Sequence, residues 1–202
     1  MEPGFTYKIN NQELIDKLKK DFYDNPEHIK ENKGKQNYHR ILGTIEENDV
    51  WNLVQWFPRY WDDNREMYDY LNKITYPHDP EYFIDKTWIK YYPKGYFASL
   101  HREFGDGMNL ENQYTNVILL DQSDDIEGGV IVIAGDSYEI NWEDPKARYN
   151  LRERLYTRFL KEPGDAVVWD EKAVHGVSMI ENGHRLVLVC TKMKRETERQ
   201  NG

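Results

Sequence analysis

Beyond Phe83 the chain breaks into short β-like runs separated by turn residues. The runs are Thr87 to Tyr92, Tyr96 to Glu103, Tyr114 to Leu120, Gly129 to Ala134, Ala166 to Trp169, Val174 to Ser178 and Leu186 to Thr191. Short strands interrupted by turn residues, with no helical period between most of them, restrict the fold to an antiparallel barrel or jelly roll. Residues 136–160 interrupt the series with Tyr138, Trp142, Tyr149 and many charges, and read as an insertion with some helix, a candidate lid.

The first third has a different texture. Residues 1–11 read as a loose lead-in. Gln12 to Tyr23 reads as a helix, with Asn11 available as its cap and Leu14, Leu18 and Phe22 at helical spacing. Asn25 to Tyr38 is polar and reads as a mobile or surface stretch. A second helix is expected from about Asn48 to Phe57, where Val50, Val54 and Phe57 share a face and Pro58 stops it. A third is expected from about Asp63 to Ile74. The aromatic set Trp51, Trp56, Tyr60 and Trp61 reads as helix-packing core rather than a substrate cage. The fold class is therefore mostly β with N-terminal helices (α+β). One domain is expected over 1–202, in which a helical segment over 1–83 packs on a barrel core over 84–193. Lys194 to Gly202 reads as a tail that frays.

Composition excludes some functions. The net charge of −9 disfavours nucleic acid or an anionic membrane, which call for a basic patch. No stretch approaches the ~20 apolar residues of a membrane span. Met1 to Thr6 carries no basic run or apolar segment of a signal peptide. Cys190 is the only cysteine, so no internal disulfide forms and a reducing, cytoplasmic setting is expected.

The chemistry lies within the strand-like region. His101 and Glu103 are two apart, so on a strand both project to one face. His175 lies in Ala-Val-His-Gly-Val, a second strand pattern. Two histidines and one carboxylate form the facial triad of a non-haem iron(II) site with open positions. Arg185, ten residues on, would face inward with Val187, Val189 and Thr191 and could grip a carboxylate in two-pronged fashion. A local ion pair with Asp or Glu is the alternative reading for that arginine. His184 would face the other way. His101 and Glu103 taken alone read as an exposed strand-end pair; taken alone, His175 reads as a satisfied core histidine. Trp169 reads equally as core or cleft wall.

Four pieces in order carry a resemblance: Tyr92-Pro93 with Gly95 before His101-Arg102-Glu103; Glu127-Gly128-Gly129; Pro163 to Trp169; and His175 followed by Arg185. Over about half the chain it resembles the iron(II)- and 2-oxoglutarate-dependent dioxygenases, on the prolyl-4-hydroxylase-like branch. That resemblance implies a double-stranded β-helix (jelly-roll or cupin-like) core. It implies Fe(II) on His101, Glu103 and His175, with 2-oxoglutarate and O2 as cosubstrates and ascorbate as a possible stimulant. It implies the far carboxylate of 2-oxoglutarate on Arg185, with a hydrogen bond from Tyr92. Leu119 occupies the place of a second polar contact, which is then either absent or supplied by Thr115. The usual carboxylate of the branch is Asp, so Glu103 is a departure, with Asp106 as the fallback ligand; a carboxylate there argues against a halogenase. The implied reaction is hydroxylation of an unactivated carbon of a small polar molecule or an amino-acid side chain, with succinate and CO2 as coproducts. A non-catalytic jelly-roll or cupin module that binds a metal or ligand is the alternative. A cupin-type iron enzyme without 2-oxoglutarate is a third reading.

Overall fold

A computed structural model describes residues 4–24, 30–32, 53–56, 65–101, 113–134 and 155–195. These described residues form three sheets and two helices. The largest sheet holds β1 (Phe5–Lys8), β10 (Asp165–Asp170), β6 (Gln113–Gln122), β13 (Arg185–Lys194), β4 (Tyr82–Tyr92), β3 (Leu53–Trp56) and β2 (Lys30–Asn32), in that spatial order. A four-stranded sheet runs β5 (Ala98–His101), β11 (His175–Val177), β8 (Ile131–Ala134), β9 (Leu155–Arg158). β12 (Ile180–Asn182) pairs with β7 (Glu127–Gly128). All pairings are antiparallel, as expected for a jelly roll.

The period of two along β6 and β13 creates two cores from one sheet. Ile118, Leu120, Leu186, Leu188 and Cys190 face outward, against α1 (Gln12–Asp24) and α2 (Arg65–Ile74), through Leu14, Ile15, Leu18, Phe22 and Leu71. Val117, Leu119, Val187 and Val189 face inward, with Tyr92, Val167 and Trp169, against Ile131 and Ile133 of the smaller sheet and Ile180 of β12. Burying each such Leu, Ile or Val side chain stabilises the fold by roughly 1.5–3 kcal/mol. The inner cluster is the wall on which the site is built.

Helix α1 begins as its sequence dictates. Asn11 Oδ1 accepts from the Leu14 amide at 3.0 Å, satisfying one of the free donors at a helix start.

Several expectations give way to strands. The expected helix over 48–57 is corrected where it is described: Leu53–Trp56 is β3, pairing with Tyr91, Lys90 and Ile89 of β4. Val54 and its neighbours suit either period over so short a run, and pairing with the long strand β4 decides for a strand. The lead-in is ordered: Phe5–Lys8 pairs with β10. Lys30–Asn32, in the stretch read as mobile or surface, pairs with β3; main-chain bonding is indifferent to its polar side chains. At the end of the expected insertion, the described Leu155–Arg158 is a strand paired with β8. So among the described residues before Tyr82 there are three strands as well as the two helices. Trp51, Tyr60 and Trp61 lie outside the described residues, and Trp56 lies on β3.

Candidate functional site

His175 opens β11, the strand held between β5 and β8. Its register partners are His101 on β5 and Ile133 on β8. The sequence separates positions 101 and 175; antiparallel pairing sets them opposite each other. The His175 ring is 7% exposed, and its Nδ1 lies 3.0 Å from the Ala173 carbonyl. A carbonyl can only accept, so Nδ1 carries a proton, as it does in an imidazole that ligates a metal through Nε2. The Trp169 ring lies against it, centroids 4.7 Å apart and tilted by 39°. Glu103, Asp106 and the side chain of His101 lie outside the described residues. Among the described residues no three His, Cys, Asp or Glu side chains group together, and His175 is the described member of the expected triad.

Arg185 opens β13 opposite Tyr92 of β4 and Gln122 of β6. It is 5% exposed. Its Nε donates to Gln122 Oε1 at 3.2 Å and its Nη1 to the Gly129 carbonyl. Both acceptors are neutral. Among the described residues no carboxylate comes within ion-pair distance of the guanidinium, so the local ion pair does not form there. Burial pushes its pKa down, and the neighbouring Tyr92 opposes that push. A buried cation without an anion is costly, and two of five N–H donors account for the described bonds. Tyr92 stacks on Tyr96, centroids 4.2 Å apart and nearly parallel at 10°. His184 turns to the outer face and stacks on Tyr91 at 5.4 Å.

The glycine pair in the β7–β8 turn is required by this cradle. Gly128 has φ +77°, and a Cβ there would sit 1.9 Å from the Met179 carbonyl oxygen. Gly129 has φ +65°, and a Cβ there would lie 3.2 Å from Arg185 Nη1. Both conformations favour glycine, and both let backbone approach where a side chain would block it.

Thr115 lies at the other end of the inner wall. Its register partners are Trp169 and Thr191, six residues along β13 from Arg185. Its hydroxyl donates to the Glu171 carboxylate. Leu119, fully buried, lies opposite Val187. The polar group beside Arg185 is instead Gln122, which strand alternation does not reveal. Leu186 pairs with Asp121 but Val187 with Leu119, so Leu120 is an extra residue in β6. That bulge shifts the phase of the strand and brings an even-numbered residue to the inner face. Glu171 escapes a sequence reading for another reason: a glutamate in a polar turn looks solvated, yet it is 4% exposed.

No protein-family model and no curated protein sequence matches the chain. Solved structures do. The apoform of EctD from S. alaskensis superposes with TM-score 0.67 at 12% identity, over 96% of this chain and 73% of that one. HygX from Streptomyces hygroscopicus, with nickel and 2-oxoglutarate bound, gives 0.62 at 11%, over 100% and 90%. A Pseudomonas putida prolyl-4-hydroxylase gives 0.54 at 14%, over 98% and 95%. At these identities the likeness establishes the fold, a double-stranded β-helix.

Proposed function

We propose that this chain is an Fe(II)- and 2-oxoglutarate-dependent oxygenase. It hydroxylates an unactivated carbon of a small polar molecule or an amino-acid side chain and converts 2-oxoglutarate to succinate. The observation that carries the reading is Arg185, a guanidinium buried on the inner wall with neutral partners. A diacid supplies the anion such a group calls for. The solved structures of the same fold support it, one holding nickel and 2-oxoglutarate and another described as a prolyl-4-hydroxylase.

Each residue then has a task. Arg185 binds the far carboxylate of 2-oxoglutarate; Gln122 and the Gly129 carbonyl fix the guanidinium plane. Tyr92, stacked on Tyr96, donates its phenolic proton to the same carboxylate. His175 would hold iron through Nε2, with His101 and Glu103 as the other ligands. Iron, when bound, supplies the oxidising chemistry with O2. The inner apolar residues Val117, Leu119, Val187 and Ile133 keep water from the reacting groups. Trp169 fixes one face of the His175 ring. Thr115 is held by Glu171, at a distance along the wall from Arg185. The acidic net charge fits a partner other than nucleic acid, and buried, unpaired Cys190 fits the cytoplasm. Among the described residues no helix is long and apolar enough to cross a membrane.

The test is anaerobic titration of the protein with iron(II) and 2-oxoglutarate, read by the weak visible charge-transfer band, followed by succinate release in air with ascorbate. The wild type gives both signals, His175→Ala neither, and a chelator removes both. A His175→Ala variant that kept the band and formed succinate would overturn the assignment.

A further inference from the structure

Between the strand that opens with His175 and the strand that opens with Arg185 lies β12. Its first residue, Ile180, is fully buried in the inner cluster. The main chain of Ile180 is tied on two sides. Toward the β4–β5 turn, its N–H donates to the Tyr96 carbonyl at 2.8 Å and its carbonyl accepts from the Gly95 amide at 2.7 Å. Toward the glycine pair, it is the register partner of Gly128. The preceding carbonyl, that of Met179, accepts from the Gly129 amide at 3.0 Å. The Ile180 side chain reaches the same glycine. The point a Gly129 Cβ would occupy is 3.0 Å from Ile180 Cγ1 and 3.2 Å from Arg185 Nη1. Isoleucine and guanidinium therefore pack against one residue, whose carbonyl accepts from Arg185 Nη1.

A guanidinium grips a carboxylate in two-pronged fashion only while its plane is fixed. Its two described acceptors are Gln122 Oε1 and the Gly129 carbonyl. The second belongs to a turn of two glycines at positive φ. Glycine permits the close approach of this backbone but brings no side chain to anchor it. We infer that Ile180 supplies the anchor: it is a positioning residue that holds the Gly129 carbonyl, and through it the plane of Arg185, for the far carboxylate of the cosubstrate. The inference rests on the oxygenase reading above and adds a residue to it. Ile180 acts through Arg185, so its influence is confined to the carboxylate that Arg185 grips. A 2-oxo acid of the same length that lacks this carboxylate is indifferent to it.

2-Oxopentanoate is such an acid, with five carbons and a terminal methyl group. The 202-residue chain, with zinc in place of iron, is titrated calorimetrically with 2-oxoglutarate and with 2-oxopentanoate. Ile180→Ala removes the atom that meets Gly129. It is expected to raise the Kd of 2-oxoglutarate by about threefold to tenfold and to leave that of 2-oxopentanoate within about twofold. Ile180→Val keeps a γ carbon at that place and should restore the affinity. In an Arg185→Met background Ile180→Ala should have no further effect on 2-oxoglutarate, because two residues acting in series are not additive. Gly95→Ala serves where the cavity left by Ile180→Ala prevents folding. Its Cβ meets nothing within 4 Å, but φ +85° strains the turn bonded to Ile180. It should weaken 2-oxoglutarate alone, by about threefold. Equal weakening of both acids, additive losses in the double variant, or undiminished 2-oxoglutarate affinity in the folded variants would overturn the inference. Succinate release by the iron-loaded wild type separates the two readings. Its absence sinks the oxygenase, whereas its presence with a failed titration series sinks only the role of Ile180.

Discussion

Two buried cations on one strand, Arg185 and Lys192, differ in how completely their donors are met. Lys192 lies on the outer face of β13 and is 1% exposed. Its ammonium donates to the carbonyls of Asn72 at 2.9 Å, Thr75 at 3.1 Å and Pro77 at 2.6 Å. Three donors meet three acceptors at the C-terminal end of α2, where the helix dipole also favours a cation. Arg185 lies on the inner face and is 5% exposed, but its described partners are one side-chain oxygen and one carbonyl. Burial lowers the pKa of both, that of Lys192 to about 8. Satisfaction, not burial, distinguishes them: Lys192 closes the fold against α2, and on the proposed oxygenase reading Arg185 turns its remaining donors to 2-oxoglutarate.

Opposite phenotypes are expected from the two cations. Arg185→Met should raise the KM for 2-oxoglutarate by more than about a hundredfold, with the melting temperature unchanged or higher, since an unpaired buried charge is removed. Calorimetry and a succinate assay check this; a large stability loss with normal cosubstrate binding would erase the distinction. Lys192→Met should do the reverse. Three carbonyls lose their donor, costing about 2–4 kcal/mol in urea unfolding, while activity per folded molecule stays at the wild-type level.

A pH series separates them further. Lys192 has a folded pKa near 8 against 10.5 unfolded. Between those values the unfolded chain binds more protons, so this group makes stability rise with pH. Wild type minus Lys192→Met, measured by unfolding across that window, should show a positive slope, and a flat difference would mean the ammonium is not desolvated. The smallest effect is expected at the groups that aim Arg185. Gln122→Leu should raise the KM for 2-oxoglutarate by about threefold to tenfold. Gly129→Ala should add about 1–2 kcal/mol of backbone strain at φ +65° and move the guanidinium, with a similar KM change.

How much was legible follows from which interactions are local. The Asn11 cap and the spacing of Leu14, Leu18 and Phe22 lie within one helix, so α1 could be read directly. Arg185 facing inward and His184 outward follows from the period of two along β13, whose pairing with β4 runs without a shift from Arg185 to Thr191. Gln122 was hidden because one bulge reverses the parity of β6. β1, β3 and β9 were hidden because such short runs take their conformation from the neighbour they bond to, and that neighbour is remote in sequence.

Residue order alone was enough for the alternation that makes two faces of one sheet, for the succession of His101, His175 and Arg185 along the strands, and for the glycine pair that an arginine cradle needs. These are properties of residues within a few positions of one another. Three-dimensional packing was needed to establish which buried charge is satisfied, that Gln122 rather than Leu119 meets the guanidinium, and that Glu171 is buried against the Thr115 hydroxyl. Those outcomes depend on register and bulges between strands far apart in the chain. A one-residue shift in pairing exchanges the faces of a strand, and no local pattern records it.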